Sequence, residues 1–281
     1  MEIRLKVAAK INLSLDIIGK LESGYHEIDS VMQSVSVFDY VSLMTTGNGI
    51  ITCDDAATYS PVKRAAEIFF DKSHIARGVR INIIRTIPVA SGMGGSSADA
   101  SCVLYGLNEL YSHPFGDEEL RELAVSLGAD MSFMLSGGTK RCKGIGEKMS
   151  EVKNLTDPFY LGVKAQGFIT SKGAYEAFDS IAKSCHGDME KVIGALETGH
   201  VENGILYNVL EEPCTSLAPD ILNVKEIFSS DRNCRAHFLT GSGPMYVGIY
   251  DSFKEASDAM IRFPGREKHI FRNEDRSITV M

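Results

Sequence analysis

The chain has 281 residues, 44% apolar and 23% charged, with a net charge of −8 at pH 7. That length suits one large or two medium globular domains, and the acidic balance, without runs of Lys or Arg, argues against nucleic-acid binding. No stretch reaches the ~20 apolar residues of a membrane span, and the six cysteines are too far apart for a metal knuckle. The first six residues, Met-Glu-Ile-Arg-Leu-Lys, hold no apolar leader. Reduced, buried thiols in a cytoplasmic protein are the expectation.

Residues 3–8 and 11–18 read as two strands, the second with Ile11, Leu13, Leu15 and Ile17 on one face. Residues 19–24 make a turn. Residues 28–37 start with helical spacing and end in alternation. Tyr40 to Met44 and Gly49 to Cys53 read as a short strand pair. Ser60-Pro61 caps a helix running to about Lys72, with Pro at its first position. Residues 78–84 alternate as a half-buried strand. Ala100, Val103, Leu104, Leu107 and Leu110 then recur at helical spacing. Asp117 opens a further helix, carrying Leu120, Leu123, Ala124 and Leu127 on one face and closed by Gly128.

The pattern restarts after about Ser150. Residues 159–163 read as a strand. Ser171 begins a helix (Ala174, Ala177, Phe178, Ile181), and Asp188 to Leu196 form another. Residues 200–230 read as helical, interrupted at Pro213 and Pro219. Strands at 234–239 and 245–250 flank Thr240-Gly241-Ser242-Gly243-Pro244. A helix at about 252–262 and an edge strand at 277–281 finish the chain. Both halves are α+β, and residues 1–152 and 153–281 form the expected domains.

The most informative stretch is residues 88–99, Pro-Val-Ala-Ser-Gly-Met-Gly-Gly-Ser-Ser-Ala-Asp. Glycines permit positive φ and close approach of backbone to a ligand. A helix N-terminus adds free N–H groups and partial positive charge. Strand, glycine loop and helix together make an anion cradle, most often for phosphate. A plain turn with serine caps is the simpler alternative. The loop has neither the Gly-Lys-Ser/Thr ending of a P-loop nor the glycine spacing of a dinucleotide fold.

With its neighbours, this loop resembles the second motif of the GHMP kinases. Ala8-Ala9-Lys10-Ile11-Asn12-Leu13 is similar to their first motif, and Leu239-Thr240-Gly241-Ser242-Gly243-Pro244 to their third, a glycine turn that supports the phosphate loop. Three further segments narrow the resemblance: Gly24-Tyr25-His26-Glu27-Ile28, Leu127-Gly128-Ala129-Asp130-Met131-Ser132-Phe133, and Lys140 to Glu147. They point to the branch whose acceptor is a cytidine-diphosphate ester of methylerythritol. The chain departs from that pattern at Ser96, Ala98, Ser60 and Ala165 and in a shortened stretch at 54–60, all on the nucleotide side or its surroundings.

The resemblance implies a two-domain fold, a ribosomal-protein-S5-like α/β domain and a ferredoxin-like α+β domain with a cleft between them. It implies transfer of phosphate from ATP, with Mg²⁺, to an alcohol in isoprenoid precursor synthesis. The loop that Pro88 opens would hold the β- and γ-phosphates on the amides of Gly92, Met93, Gly94, Gly95, Ser96 and Ser97, and the Ser97 or Ser96 hydroxyl could bond phosphate or ligate the metal. Asp130 reads locally as a helix N-cap, but the resemblance makes it the candidate base, with Lys10 as its partner. Asn12 shares the face of Lys10, or is a plain polar edge residue. Tyr25 would stack on the cytosine ring and His26 bond its edge. Thr170, Gly241 and Ser242 fall on the substrate side. Asp16, Glu27 and His74 read as structural or solvated. The other readings are a GHMP kinase for homoserine or a mevalonate-type alcohol, and a weakly catalytic nucleotide-binding relative. Monomer and homodimer both stay open.

Overall fold

The computed structural model describes residues 1–54, 61–181 and 186–281. Ser60, the shortened stretch before it and Cys185 lie outside these, save Asp54. Two long antiparallel strands organise the first domain, β1 (Glu2–Lys20) and β2 (His26–Thr45). The two short strands expected in β1 are one, because register shifts between Ala8 and Ala9, Asn12 and Ser14, and Ile17 and Gly19 absorb the broken alternation. The ambiguous residues 28–37 belong to β2, which is buried on both faces there and so lacks a clean period.

Next come β3 (Ile51–Cys53), helix α1 (Pro61–Ser73) and β4 (Val79–Ile84). The expected pairing of residues 40–44 with 49–53 does not occur. β4 lies between them, antiparallel to β2 and parallel to β3. Helices α2 (Gly95–Leu110), α3 (Asp117–Leu127) and α4 (Met131–Ser136) follow. α2 packs on β1 and β2 and also on α1, and Phe69 and Phe70 of α1 meet Tyr111 and Phe115, at and after the end of α2, in an aromatic cluster. Strands β5 (Thr139–Gly144) and β6 (Lys148–Glu151) extend the sheet from the other part of β2.

The second sheet is antiparallel, in the order β10 (Lys268–Phe271), β7 (Phe159–Lys164), β9 (Met245–Tyr250), β8 (Ala236–Leu239). Helices α5 (Ser171–Asp179), α6 (Met189–Thr198), α7 (Glu211–Leu217), α8 (Asp220–Ser229) and α9 (Phe253–Met260) belong to this half. Residues 200–210 are not helical. Residues 207–209 run beside β1, where Asn208 bridges Leu15 and the Leu15 amide donates to the Tyr207 carbonyl. Pro213 does not interrupt α7, since it sits in the first turn, where no N–H is required. Strand β11 (Ile278–Val280) returns to the first sheet as an edge partner of β1. Among the described residues no helix is long and apolar enough to cross a membrane.

This arrangement buries β1 on both faces. α2 and α4 pack on β1, and the Thr240 hydroxyl of the second domain accepts the Asn12 amide at 2.7 Å. A lysine placed mid-strand here has left water and needs partners.

Candidate active site

Lys10 finds its partners within the cleft. Its side chain is 4% exposed, and Nζ donates to Asn12 Oδ1 at 2.6 Å and lies 3.4 Å from Asp130 Oδ2. The amide orientation of Asn12 follows from its neighbours. The Ser30 hydroxyl donates to the Ser14 carbonyl at 2.7 Å, so its lone pair must accept from Asn12 Nδ2, at 2.8 Å. Oδ1 is thereby left for the lysine. Asn12 is a buried member of this network and not a plain edge residue.

Asp130 occupies the N-cap position of α4 but makes no side-chain capping bond. Its carboxylate, about one-third exposed, turns to Lys10 instead. A residue that gives up a capping bond worth about 1 kcal/mol has another use for its oxygen atoms. Cys142 is close by, but burial, reinforced by the Asp130 charge, pushes its thiol up to about 12, so it is no nucleophile. The other described cysteines are buried, apart from half-buried Cys53.

The glycine loop lies directly against this pair. Gly94, at φ +76°, is the left-handed N-cap of α2, and a Cβ there would come within 3.2 Å of the Lys10 side chain. Ala98 N donates to the Gly94 carbonyl, so the amides before it at the head of the helix have no intrahelical acceptor. Ser91 fixes the loop from within: its hydroxyl donates to Pro88 O at 2.7 Å and accepts Met93 N at 3.2 Å. Gly92 meets the third motif in backbone contact. A Cβ on Gly92 would stand 2.4 Å from Thr240 O, and one on Gly241 2.7 Å from Gly92 O. The turn at 240–244 therefore supports the loop, as expected. Lys164, where the family pattern continues differently, donates to the Val89 carbonyl at 2.6 Å.

Under the head of α2 lie two more carboxyl groups. Asp39 accepts from Ile87 N at 2.8 Å and also from Thr86 N, just before the loop. Asp99 takes the Arg85 guanidinium at 2.9 Å. Burial first, then the Asp39 charge, pushes Asp99 up to about 7 against the pull of Arg85.

These groups surround one cleft of about 1090 Å³ between the domains. Lys10, Asn12 and Asp130 line it beside Pro88, Gly92 and Gly94 to Ser97. Tyr25, His26, Thr170, Gly241 and Ser242 line it too. Met93 does not: its side chain is fully buried, its amide is bonded to Ser91, and its carbonyl accepts from Lys10 N at 3.0 Å. Thr170 caps α5 through Gly173 N at 3.0 Å, and Ser242 Oγ lies 3.1 Å from Ser171 Oγ.

Tyr25 is 56% exposed at the hairpin tip. His26 stacks on Tyr175, with centroids 4.8 Å apart and 22° between planes. Tyr175, Phe168, Lys20 and Asp179 line the same wall and escaped the sequence reading. The expected helix face of α5 held Ala174, Ala177, Phe178 and Ile181. Tyr175 and Asp179, four residues apart and flanking Phe178, were the available signal. Asp16, read as structural, is bonded by the Tyr207 hydroxyl at 3.2 Å and packs beside His186 Nδ1 at 2.7 Å.

Comparison with known proteins shows the family of the chain. Residues 60–138, spanning the glycine loop and Asp130, match the family model for the GHMP kinases N terminal domain. A 4-diphosphocytidyl-2-C-methyl-D-erythritol kinase of Desulfitobacterium hafniense is 35% identical over 96% of this chain and 94% of its own. The enzyme of that name in Caldicellulosiruptor bescii is 36% identical over 92% and 93%. The chain belongs to the 4-diphosphocytidyl-2-C-methyl-D-erythritol kinase family. A crystal structure titled 4-(cytidine 5'-diphospho)-2C-methyl-D-erythritol kinase superposes with TM-score 0.81 at 25% identity, covering 97% of this chain and 99% of the other. Homoserine kinase of Cytophaga hutchinsonii, 15% identical with TM-score 0.76 over 100% of this chain and 97% of that one, shares the fold. As a member of this kinase family the chain is a small-molecule kinase with the two-domain GHMP architecture.

Proposed function

We propose that the chain transfers the γ-phosphoryl group of ATP to the 2-hydroxyl of 4-diphosphocytidyl-2-C-methyl-D-erythritol, working in the cytoplasm in isoprenoid precursor synthesis. The observation that carries this reading is a single cleft holding three parts: the Lys10–Asp130 pair, the glycine loop beside it, and the Tyr25–His26 wall. An acceptor that bears a base has use for the third part. Homoserine and mevalonate-type alcohols have none.

In this reading the amides of Gly94 to Ser97 bind the terminal phosphates, which gain from the helix dipole as well. Asp130 takes the proton of the acceptor hydroxyl as the new O–P bond forms and the bond to the β-phosphate oxygen breaks, releasing ADP. Lys10 places positive charge beside the Asp130 carboxylate and the reacting oxygen. Asn12 prevents Lys10 from moving away. Tyr25 stacks on the cytosine and His26 bonds its edge.

Among the described residues no group of three or more His, Cys, Asp or Glu could hold a metal on its own. The Ser97 hydroxyl, an oxygen donor that lines the cleft at the head of α2, suits a Mg²⁺ that enters with the nucleotide and keeps several waters. Ser97 would hold it, and the metal would neutralise phosphate charge.

The test is ADP release by the purified chain with Mg-ATP and a panel of acceptors at equal concentration. Turnover with the cytidine substrate well above that with homoserine or mevalonate is expected. Equal turnover, or a better alcohol without a base, would overturn the reading.

A further inference from the structure

His26 is constrained from outside its own domain. Its Nε2 lies 2.7 Å from Asp179 Oδ1, and Lys20 donates to the other oxygen of that carboxylate. Phe178 meets the imidazole edge-on, 6.4 Å away, on the side of α5 that also carries the stacked Tyr175. Lys20 and His26 face each other across the β1–β2 hairpin, whereas Tyr175, Phe178 and Asp179 all come from α5. The second domain thus grips the tip of a first-domain hairpin at the residue that faces the cleft.

We propose that Asp179 is a positioning residue that fixes the tautomer of His26 and thereby makes the acceptor site select cytosine over uracil. The assignment rests on the functional reading above. A carboxylate can only accept hydrogen bonds. Lys20 and then His26 hold the Asp179 carboxyl below its ordinary range, so it stays in that acceptor form. Nε2 must therefore carry a proton. In the neutral ring Nδ1 keeps its lone pair, on the edge turned from Asp179. A lone pair there accepts from the exocyclic amino group of cytosine. Uracil has a carbonyl oxygen at that position, and two lone pairs would face each other. Without Asp179 the neutral ring can move its proton to Nδ1, and the discrimination weakens.

Three variants test this. Asp179→Asn keeps the shape and removes the obligate acceptor. It should raise KM for the cytidine substrate by about tenfold, the worth of one hydrogen bond, with kcat and KM for ATP little changed. The preference for the cytidine over the uridine form of the substrate should fall by a similar factor. Asp179→Glu should recover part of both. Histidine-selective ¹⁵N spectra at pH 8, assigned with His26→Gln, should show Nε2 protonated and Nδ1 bare in the unmodified chain and a mixture in Asp179→Asn. A protonated Nδ1 in the unmodified chain, or an Asp179→Asn enzyme with undiminished preference, would overturn the assignment. Turnover of the cytidine substrate by the unmodified chain separates the two levels. Its absence defeats the functional reading and this assignment together, whereas its presence with an unmoved preference defeats this assignment alone.

Discussion

Replacing Asp130 with Asn should lower kcat by about 10²- to 10⁴-fold, the range set by removing a general base, in a chain that still folds and still binds ATP. The carboxylate makes no capping bond, so α4 loses little. It is about one-third exposed, so water can reach what the amide leaves unsatisfied. Lys10 keeps its bond to Asn12. The glycine loop takes its geometry from Ser91, Gly92 and Gly94, none of which depends on Asp130. The loss should therefore fall on turnover, with the thermal shift produced by ATP retained. A kcat within tenfold of the unmodified enzyme would mean that Asp130 only orients the acceptor.

Gly92→Ala should have the largest effect of any single methyl group in the chain's loop. At φ +81° a side chain is strained, and the added carbon would stand 2.4 Å from the Thr240 carbonyl oxygen and 3.0 Å from Gly243 N. Both are backbone atoms, so no rotamer change relieves the clash. Strain and overpacking together should cost roughly 2–4 kcal/mol of stability. The cheapest relief is to push the phosphate loop off the 240–244 turn, which would raise KM for ATP steeply. Gly194→Ala is the control: nothing lies within 4 Å of its added carbon in mid-α6. It should leave the melting temperature and KM unchanged or gain slightly from better helix propensity. Equal behaviour of the two variants would show that the contact between the motifs is not tight.

The parts of the fold that sequence revealed are those with one buried face. α3 carries Leu120, Leu123 and Ala124 on its buried side, and β4 alternates as Val79, Ile81 in and Arg80, Asn82 out; α2 is buried nearly all round, and only its larger apolar side chains kept helical spacing. The hidden parts obey other rules. β5 reads Thr-Lys-Arg-Cys-Lys-Gly, with little apolar pattern, and is a strand because its backbone pairs with β2 and β6. β10 is likewise held by its pairing with β7. Residues 200–210 have helical spacing, but Tyr207 to Val209 lie along β1 and satisfy the Leu15 amide and carbonyl at its edge.

The site divides in the same way. The glycine loop declared itself through its residue types, and Lys10, Asp130, Tyr25 and His26 through resemblance. Asp130 on local sequence alone was an N-cap, because only the folded chain brings β1 to the head of α4. Met93 lies in the middle of the cradle motif, yet its amide is consumed by Ser91, a bond that depends on how the loop turns. Tyr175 and Asp179 stand some 150 residues from the hairpin they grip, beyond any local pattern.

A crystal structure of the chain with a non-hydrolysable ATP analogue and the cytidine substrate tests the central claim most directly. The terminal phosphate should rest on the amides of Gly94 to Ser97, the acceptor hydroxyl should lie between Lys10 Nζ and the Asp130 carboxylate, and the cytosine should lie on Tyr25. A nucleotide bound away from the head of α2, or an acceptor hydroxyl out of reach of both Lys10 and Asp130, would contradict it.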